Sequence, residues 1–326
     1  MEKIRLCCPC HFGLESVLKF EVGKIGGENI AVSDGRVSFD GDFATVARAN
    51  ICLSSAERVL IEMGSFTTKS FEELFDNVSF LPFENFIGKS DAFPVKGHSL
   101  NSKLHSIPDC QRIIKKAVCR RLFEKHGTSV LEESGAIHQI TFNILKDVCT
   151  IYLDTTGTGL HKRGYRKISN AAPIKETLAA GIVDLARVRS DSLVCDPMCG
   201  SGTFLIESAY KALGIAPGLK HSFAAQKWEQ IPESVWKKER KEAVQRINSN
   251  AKFQTYGFDI DSDAIDLTIN NAKKKREYFR EFQSESRIYL NLLRQTERLL
   301  SAIRRMAREC LKLSRLRSFT SEWAKG

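Results

Sequence analysis

No apolar run in the 326-residue sequence approaches the roughly 20 residues of a membrane-spanning helix. The first ten residues, Met1 to Cys10, lack the long apolar segment of a secretory signal. No Gly-Lys-Ser or Gly-Lys-Thr follows a glycine-rich turn, so a P-loop is excluded. Cysteine is present but not patterned. The ten thiols stand at 7, 8, 10, 52, 110, 119, 149, 195, 199 and 310, and without an export signal they are expected to be reduced in a cytoplasmic protein. Cys7, Cys8 and Cys10 lie close together, but no Cys-x-x-Cys pair or His partner at metal-ligand spacing follows them, and no metal is expected.

Acidic charge is in deficit, and the formal net charge is +10. Residues 276–326 carry twelve Lys/Arg against six Glu, so that stretch alone supplies +6 and the first 275 residues only +4. Charge therefore supports a nucleic-acid partner weakly.

What is there is organised around Leu193 to Leu205, Leu-Val-Cys-Asp-Pro-Met-Cys-Gly-Ser-Gly-Thr-Phe-Leu. An apolar run, an acid, two glycines and a helical pattern read as strand, tight loop and helix start. Gly200 and Gly202 permit positive φ and close approach of the backbone to a ligand. Ser201 and Thr203 are candidate caps of the following helix, whose free N–H groups favour an electron-rich ligand. Asp196 falls at the strand's carboxyl end, where open α/β sheets bind small molecules. A second strand and acid follow in Gln254-Thr-Tyr-Gly-Phe-Asp-Ile-Asp-Ser-Asp263. A carboxylate there is placed to accept two ribose hydroxyls, whereas Asp263 reads as a helix N-cap.

The string Asp196-Pro-Met-Cys-Gly-Ser-Gly-Thr203 resembles motif I of the class I S-adenosyl-L-methionine-dependent methyltransferases. Its wording is similar to the THUMP-containing branch that methylates guanine N2 in 23S rRNA. The resemblance implies S-adenosyl-L-methionine as cofactor, held by Asp196, Pro197, Cys199, Gly200, Ser201, Gly202, Thr203, Asp259 and Asp261, with Asp259 on the ribose and Asp261 nearer the adenine edge.

The remaining chain fits that order. Over residues 1–65, Ile4–Cys8 reads as a strand and Gly13–Val22 as a helix with Leu14, Val17, Leu18 and Val22 inward. A hairpin turning at Asp34-Gly35 and a helix from Thr45 to Leu53 complete a βαββα layer, which resembles the family's ferredoxin-like lead domain. Residues 66–155 look like the THUMP domain, with a helix at Phe71–Val78, a strand from Phe93, a helix over Cys110–Leu122 and strands at His138–Ile144 and Val148–Asp154. That helix sets Arg112, Lys115, Lys116, Arg120 and Arg121 outside its apolar positions, a face that by pattern alone is solvated. Because THUMP domains dock structured RNA, the resemblance makes Lys96, Arg112 and Lys116 candidate RNA contacts. Leu160-His-Lys-Arg-Gly-Tyr-Arg-Lys167 matches the family's linker, and Pro173 is expected to open the next helix. Arg163, Tyr165 and Arg166 are RNA or pocket candidates, with a solvated linker as the alternative. Ala209 to Lys252 reads as a basic surface insertion with a charged helix, in which Trp228 and Trp236 serve as anchors to a core rather than as RNA contacts.

The sequence departs from the family after Lys275. The Asn-Pro-Pro-Tyr that should hold the target amine is absent, and residues 276–326 contain no Val, Asp or Pro. Read in the neighbouring frame with permissible third bases, Ser301–Lys312 yields Cys-Asn-Pro-Pro-Tyr-Gly-Glu-Arg-Met-Ser-Glu. One extra base in the codons of Lys273–Lys275 accounts for this. The expected fold is α/β: an N-terminal α+β region (ferredoxin-like 1–65, THUMP 66–155), an incomplete Rossmann-like class I methyltransferase domain (156–275) and an out-of-frame tail (276–326). The expected function is rRNA guanine-N2 methylation, impaired in this chain. The alternatives are a non-catalytic THUMP RNA-binding protein and a DNA adenine-N6 methyltransferase. No membrane partner is expected, and oligomeric state is not legible.

Overall fold

The structure, a computed structural model, describes residues 3–166 and 173–280. Lys167, Ala171 and the tail from 281, with the re-read segment 301–312, lie outside the described residues. The chain forms two compact units. The first comprises residues 1–161 and 216–245, and the second 162–215 and 246–326.

The first unit opens with β1 (Ile4–Pro9), α1 (Glu15–Lys24), β2 (Glu28–Ser33), β3 (Arg36–Gly41) and α2 (Phe43–Cys52). Leu14, Val17, Leu18 and Val22 are buried, as their spacing requires. The β2–β3 hairpin turns at Asp34-Gly35, with Gly35 at φ 69° and Ser33 opposite Arg36. Asp42 caps α2, accepting from the Thr45 backbone N–H at 2.7 Å. Next come β4 (Leu60–Thr67), α3 (Phe71–Ser79), β5 (Val95–Leu100), α4 (Ile107–His126), β6 (Gln139–Leu145) and β7 (Val148–Asp154). Helix α4 starts with Pro108 in its first turn and stops at Gly127, φ 61°.

All seven strands form one sheet, ordered β2-β3-β1-β4-β7-β6-β5. Strand β4 pairs with β1 through Leu60 and Ile61, and with β7 along its length. The expected boundary at 65/66 therefore falls inside a shared strand. Two neighbouring sheets fuse because β4 offers one edge to each. One face of the sheet carries the fully buried Leu6, Val37, Phe39, Ile61, Ile140, Phe142, Ile144 and Ile151.

In the second unit, α5 (Glu176–Leu185) precedes β8 (Leu193–Asp196) and α6 (Thr203–Leu213). Helix α5 begins three residues after Pro173, not at it. The chain then returns to the first unit with α7 (Glu233–Gln245), and the second unit resumes with β9 (Gln254–Gly257) and α8 (Ser262–Arg280). Strands β8 and β9 are parallel, with Leu193 beside Gln254 and Asp196 beside Gly257. Val183, Val188, Ala212 and Phe253 form the core beneath them. Among the described residues this sheet has two strands.

The expected surface insertion is thus an element of the first unit. Trp236 stacks on Phe223 at 5.3 Å between centroids, and Trp228 on His138 at 4.3 Å. Both indoles are buried, and Trp228 Nε1 donates to the Ile137 carbonyl at 3.1 Å. Glu239, 1% exposed, takes the Arg48 guanidinium in two bonds of 2.7 and 2.8 Å. Helical charge periodicity hides this packing, because most of the Lys and Glu of α7 do face water.

Candidate active site

The ends of β8 and β9 are sewn together beyond their last paired residues. Phe258 N–H donates to the Asp196 carbonyl, and Cys199 N–H to the Phe258 carbonyl, both at 2.8 Å. Asp196 Oδ1 accepts from Met198 N–H at 3.1 Å, which starts the turn. Pro197 and Met198 are exposed at its outer edge. Gly200 (φ 52°) and Gly202 (φ 77°) occupy the left-handed region that the tight loop needs. A Cβ on Gly202 would lie 2.8 Å from Thr268 Cγ2, whereas one on Gly200 would point into open space.

Gly202 itself takes the N-cap position of α6, without a side-chain cap. Ser201 and Thr203, expected to cap the helix, instead contact each other at 3.1 Å and are buried. The cap position falls on Gly202, which has no side chain to offer, so neither hydroxyl takes the cap.

Asp259 closes the site. Its Oδ2 accepts from Gly200 N–H at 2.9 Å, and its Oδ1 from Asp261 N–H at 3.0 Å. Asp261 Oδ1 in turn accepts from Asp263 N–H at 2.9 Å. Since α8 starts at Ser262, the N-cap is Asp261 and not Asp263 as the spacing suggested. Helix α8 also braces the loop from behind: Thr268 Oγ1 donates to the Gly200 carbonyl at 2.8 Å and buried Asn271 to that of Ser201 at 3.0 Å. Neither residue stands out in the sequence as a site candidate. The available signal was a short polar side chain on the inward face of an otherwise apolar helix stripe. Burial pushes the Cys199 thiol above its ordinary range, so it stays protonated packing material beside Thr268.

The linker candidates are interior. Arg163 and Tyr165 are 5% and 1% exposed and converge on Glu207 of α6. Arg163 Nε lies 2.9 Å from Glu207 Oε1, and Tyr165 OH donates to the same oxygen at 2.9 Å. Burial works against the Arg163 charge, but Glu207 holds it protonated; burial and Glu207 together push the Tyr165 phenol far up. An RNA-facing role for Arg163 and Tyr165 is therefore corrected: their polar ends are consumed inside the fold. Arg166 pairs with Glu176 at 2.8 Å and reaches Thr203 Oγ1 at 3.4 Å, behind the loop.

In the first unit Lys96 is exposed on β5, and Arg112 and Lys116 on α4. Arg112 pairs with Asp109, Lys115 with Glu133 at 2.6 Å, and Arg121 with Glu84 at 2.9 Å. Much of the α4 charge is thus neutralised locally. Burial raises the thiols of Cys7, Cys8 and Cys10, the last to about 12. Among the described residues no group of three His, Cys, Asp or Glu is arranged to hold a metal, and no helix is long and apolar enough to cross a membrane.

Three family models match in tandem: the RlmL ferredoxin-like domain over residues 5–60, the THUMP domain over 68–154, and the RMKL-like methyltransferase domain over 163–298. The "Putative RNA methyltransferase YpsC" of Bacillus subtilis is 40% identical over 276 residues, covering 84% of this chain and 71% of that protein. The chain belongs to the RMKL-like, THUMP-containing RNA methyltransferases. The "Ribosomal RNA large subunit methyltransferase K/L" of Psychromonas ingrahamii is 33% identical over 82% of this chain, but only 36% of that protein is covered. Among solved structures, "SMU.472, a putative methyltransferase complexed with SAH" superposes with a TM-score of 0.80 at 37% identity, over 84% of this chain and 72% of that one. The methyltransferase match runs to residue 298, past Lys275, after which the reading frame is expected to change.

The solved relative SMU.472 is complexed with SAH. The loop fits such a group: Gly200 leaves open space where a Cβ would stand, and the Asp259 carboxylate lies at the rim of the same opening. Met198 and Ile260, 81% and 105% exposed, offer apolar surface beside it.

Proposed function

We propose that this methyltransferase acts on large-subunit rRNA, at the exocyclic N2 of a guanine. The observation that carries the reading is the bond from Gly200 N–H to Asp259, which ties the glycine loop to the second acidic strand end, as a shared cofactor site requires. The name of the K/L relative and the THUMP match support the RNA class. When bound, S-adenosyl-L-methionine supplies an electrophilic methyl group on a sulfonium. Asp259 would accept the ribose hydroxyls, Asp261 would lie toward the adenine edge, and Asp196, Pro197, Cys199 and Gly200–Thr203 would shape the loop against the methionine part. Thr268 and Asn271 would keep that loop in place before binding, so that little ordering cost remains.

The amine must still be aligned with the methyl group, and the Asn-Pro-Pro-Tyr that would do so is missing from this reading frame. We therefore propose that the chain as translated binds cofactor and RNA with weak or no methyl transfer. The test is tritiated methyl incorporation into a 23S rRNA transcript and into DNA. It compares this chain with one from a gene lacking one adenine in the codons of Lys273–Lys275. N2-methylguanosine from the shorter gene alone supports both proposals. Incorporation into DNA adenine would move the reading to a DNA methyltransferase. RNA binding without transfer from either gene would favour a non-catalytic RNA-binding protein.

A further inference from the structure

The sheet of the first unit has a second face, and pairing register fixes which residues share it. Across β4, β7, β6 and β5, Ser65 stands opposite Thr150, Thr150 opposite Asn143, and Asn143 opposite His98. These residues alternate with buried Ile144, Cys149 and Ile151, so they point away from the apolar side. Ser65 and His98 are exposed and Thr150 and Asn143 half-buried. The Ser65 and Thr150 hydroxyls share a bond of 2.9 Å. One step further along the strands on this same face lies an apolar row: Leu100, Leu145 and Val148 are 59%, 39% and 42% exposed.

Cations bracket these rows. Lys96 stands on the same face one step the other way, opposite Thr141. Lys146 occupies the β6–β7 turn, and the Lys103 loop is stitched to that turn by Lys103 N–H to Asp147 Oδ1 at 2.8 Å. Among the described residues none of these three lysines enters an ion pair, in contrast to Arg112, Lys115 and Arg121 of α4. Asp147 spends its carboxylate on the backbone, Glu62 stands opposite Tyr152, and Asp154 on the same face is buried against Arg58.

We infer that this open sheet face, not the charged side of α4, is where the first unit holds RNA, and that it takes a single-stranded segment. The inference deepens the RNA reading given above and rests on it. The exposed apolar row needs unstacked bases, which a duplex does not present. A row of hydroxyl, amide and imidazole groups meets 2′-hydroxyls and phosphates, free lysines neutralise the backbone, and the apolar row receives unstacked bases. A protein partner would use the apolar row but would not need unpaired lysines at both ends of it.

The probe is a fluorescein-labelled 12-nucleotide RNA of mixed sequence, followed by polarisation over a salt series, with a 23S rRNA transcript in parallel. Lys96→Gln/Lys146→Gln should weaken binding about tenfold and lower the slope of log affinity against log salt by about 1.4, two contacts at about 0.7 each. Leu145→Ser should weaken binding with the salt slope unchanged, and Arg112→Gln/Lys116→Gln should stay within about twofold of wild type. Unchanged far-UV circular dichroism accompanies each variant. Weakening by the α4 pair alone would overturn the inference in favour of the helix. Wild-type binding to the transcript but not to the 12-mer, or to a duplex as tightly as to the single strand, overturns the single-strand assignment while the RNA reading stands. Wild-type protein that binds neither RNA overturns that reading, and this surface with it.

Discussion

Replacing Glu207 by Gln should cost about 3–5 kcal/mol of stability, because it removes the carboxylate that compensates the buried Arg163 charge. Both side chains are 1% exposed and 2.9 Å apart, so solvent screening does not reduce the value to the fraction of a kcal/mol typical of a surface pair. Glu176 also acts on Arg163 and should hold the loss near the lower end of that range. Tyr165 keeps an acceptor in the new amide and adds little. The assay is urea denaturation of the full chain followed by far-UV circular dichroism, with Glu207→Gln beside Arg163→Met/Glu207→Gln. The double variant removes the buried charge as well and should recover most of the loss. A single variant within 1 kcal/mol of wild type, or a double no better than the single, refutes the reasoning. So would loss of RNA salt dependence in Arg163→Met, which would return Arg163 to the surface role its sequence context suggested.

Gly202→Ala should strain a left-handed residue by about 1–2 kcal/mol and push on Thr268, with S-adenosylhomocysteine affinity by calorimetry falling at least tenfold. Trp236→Ala should destabilise the first unit by about 3–5 kcal/mol, with hydrogen exchange rising over residues 216–245 while the glycine loop keeps its protection. Burial holds His138 neutral in the fold, its pKa lowered to about 4, while the unfolded chain takes up a proton near 6.5. The stability His138 contributes is therefore present above about pH 6.5 and lost as pH falls toward 4. His138→Gln should flatten that part of the urea-midpoint profile. An unchanged slope would show that His138 is not its source.

The sequence determined the local parts of this protein by itself. Asp34-Gly35 needs only its own turn chemistry, and α1 only the spacing of Leu14, Val17, Leu18 and Val22. Each rests on contacts within a few residues, which a linear pattern encodes. The family resemblance supplied the domain order and the cofactor. Tertiary structure alone decided where polar side chains spend their charge. Arg163 and Arg112 look alike in sequence, yet one is buried on Glu207 and the other lies exposed beside Asp109. Trp228 and Trp236 read as anchors of the insertion from sequence, but their partners and that of Glu239, up to some 190 residues away in the first unit, came only with the fold. Asp261 and Asp263 both suit a cap, and the choice fell to where the α8 ladder starts. A charge pattern records which groups need a partner, while only the folded chain brings one within the few ångströms over which a buried ion pair or hydrogen bond forms.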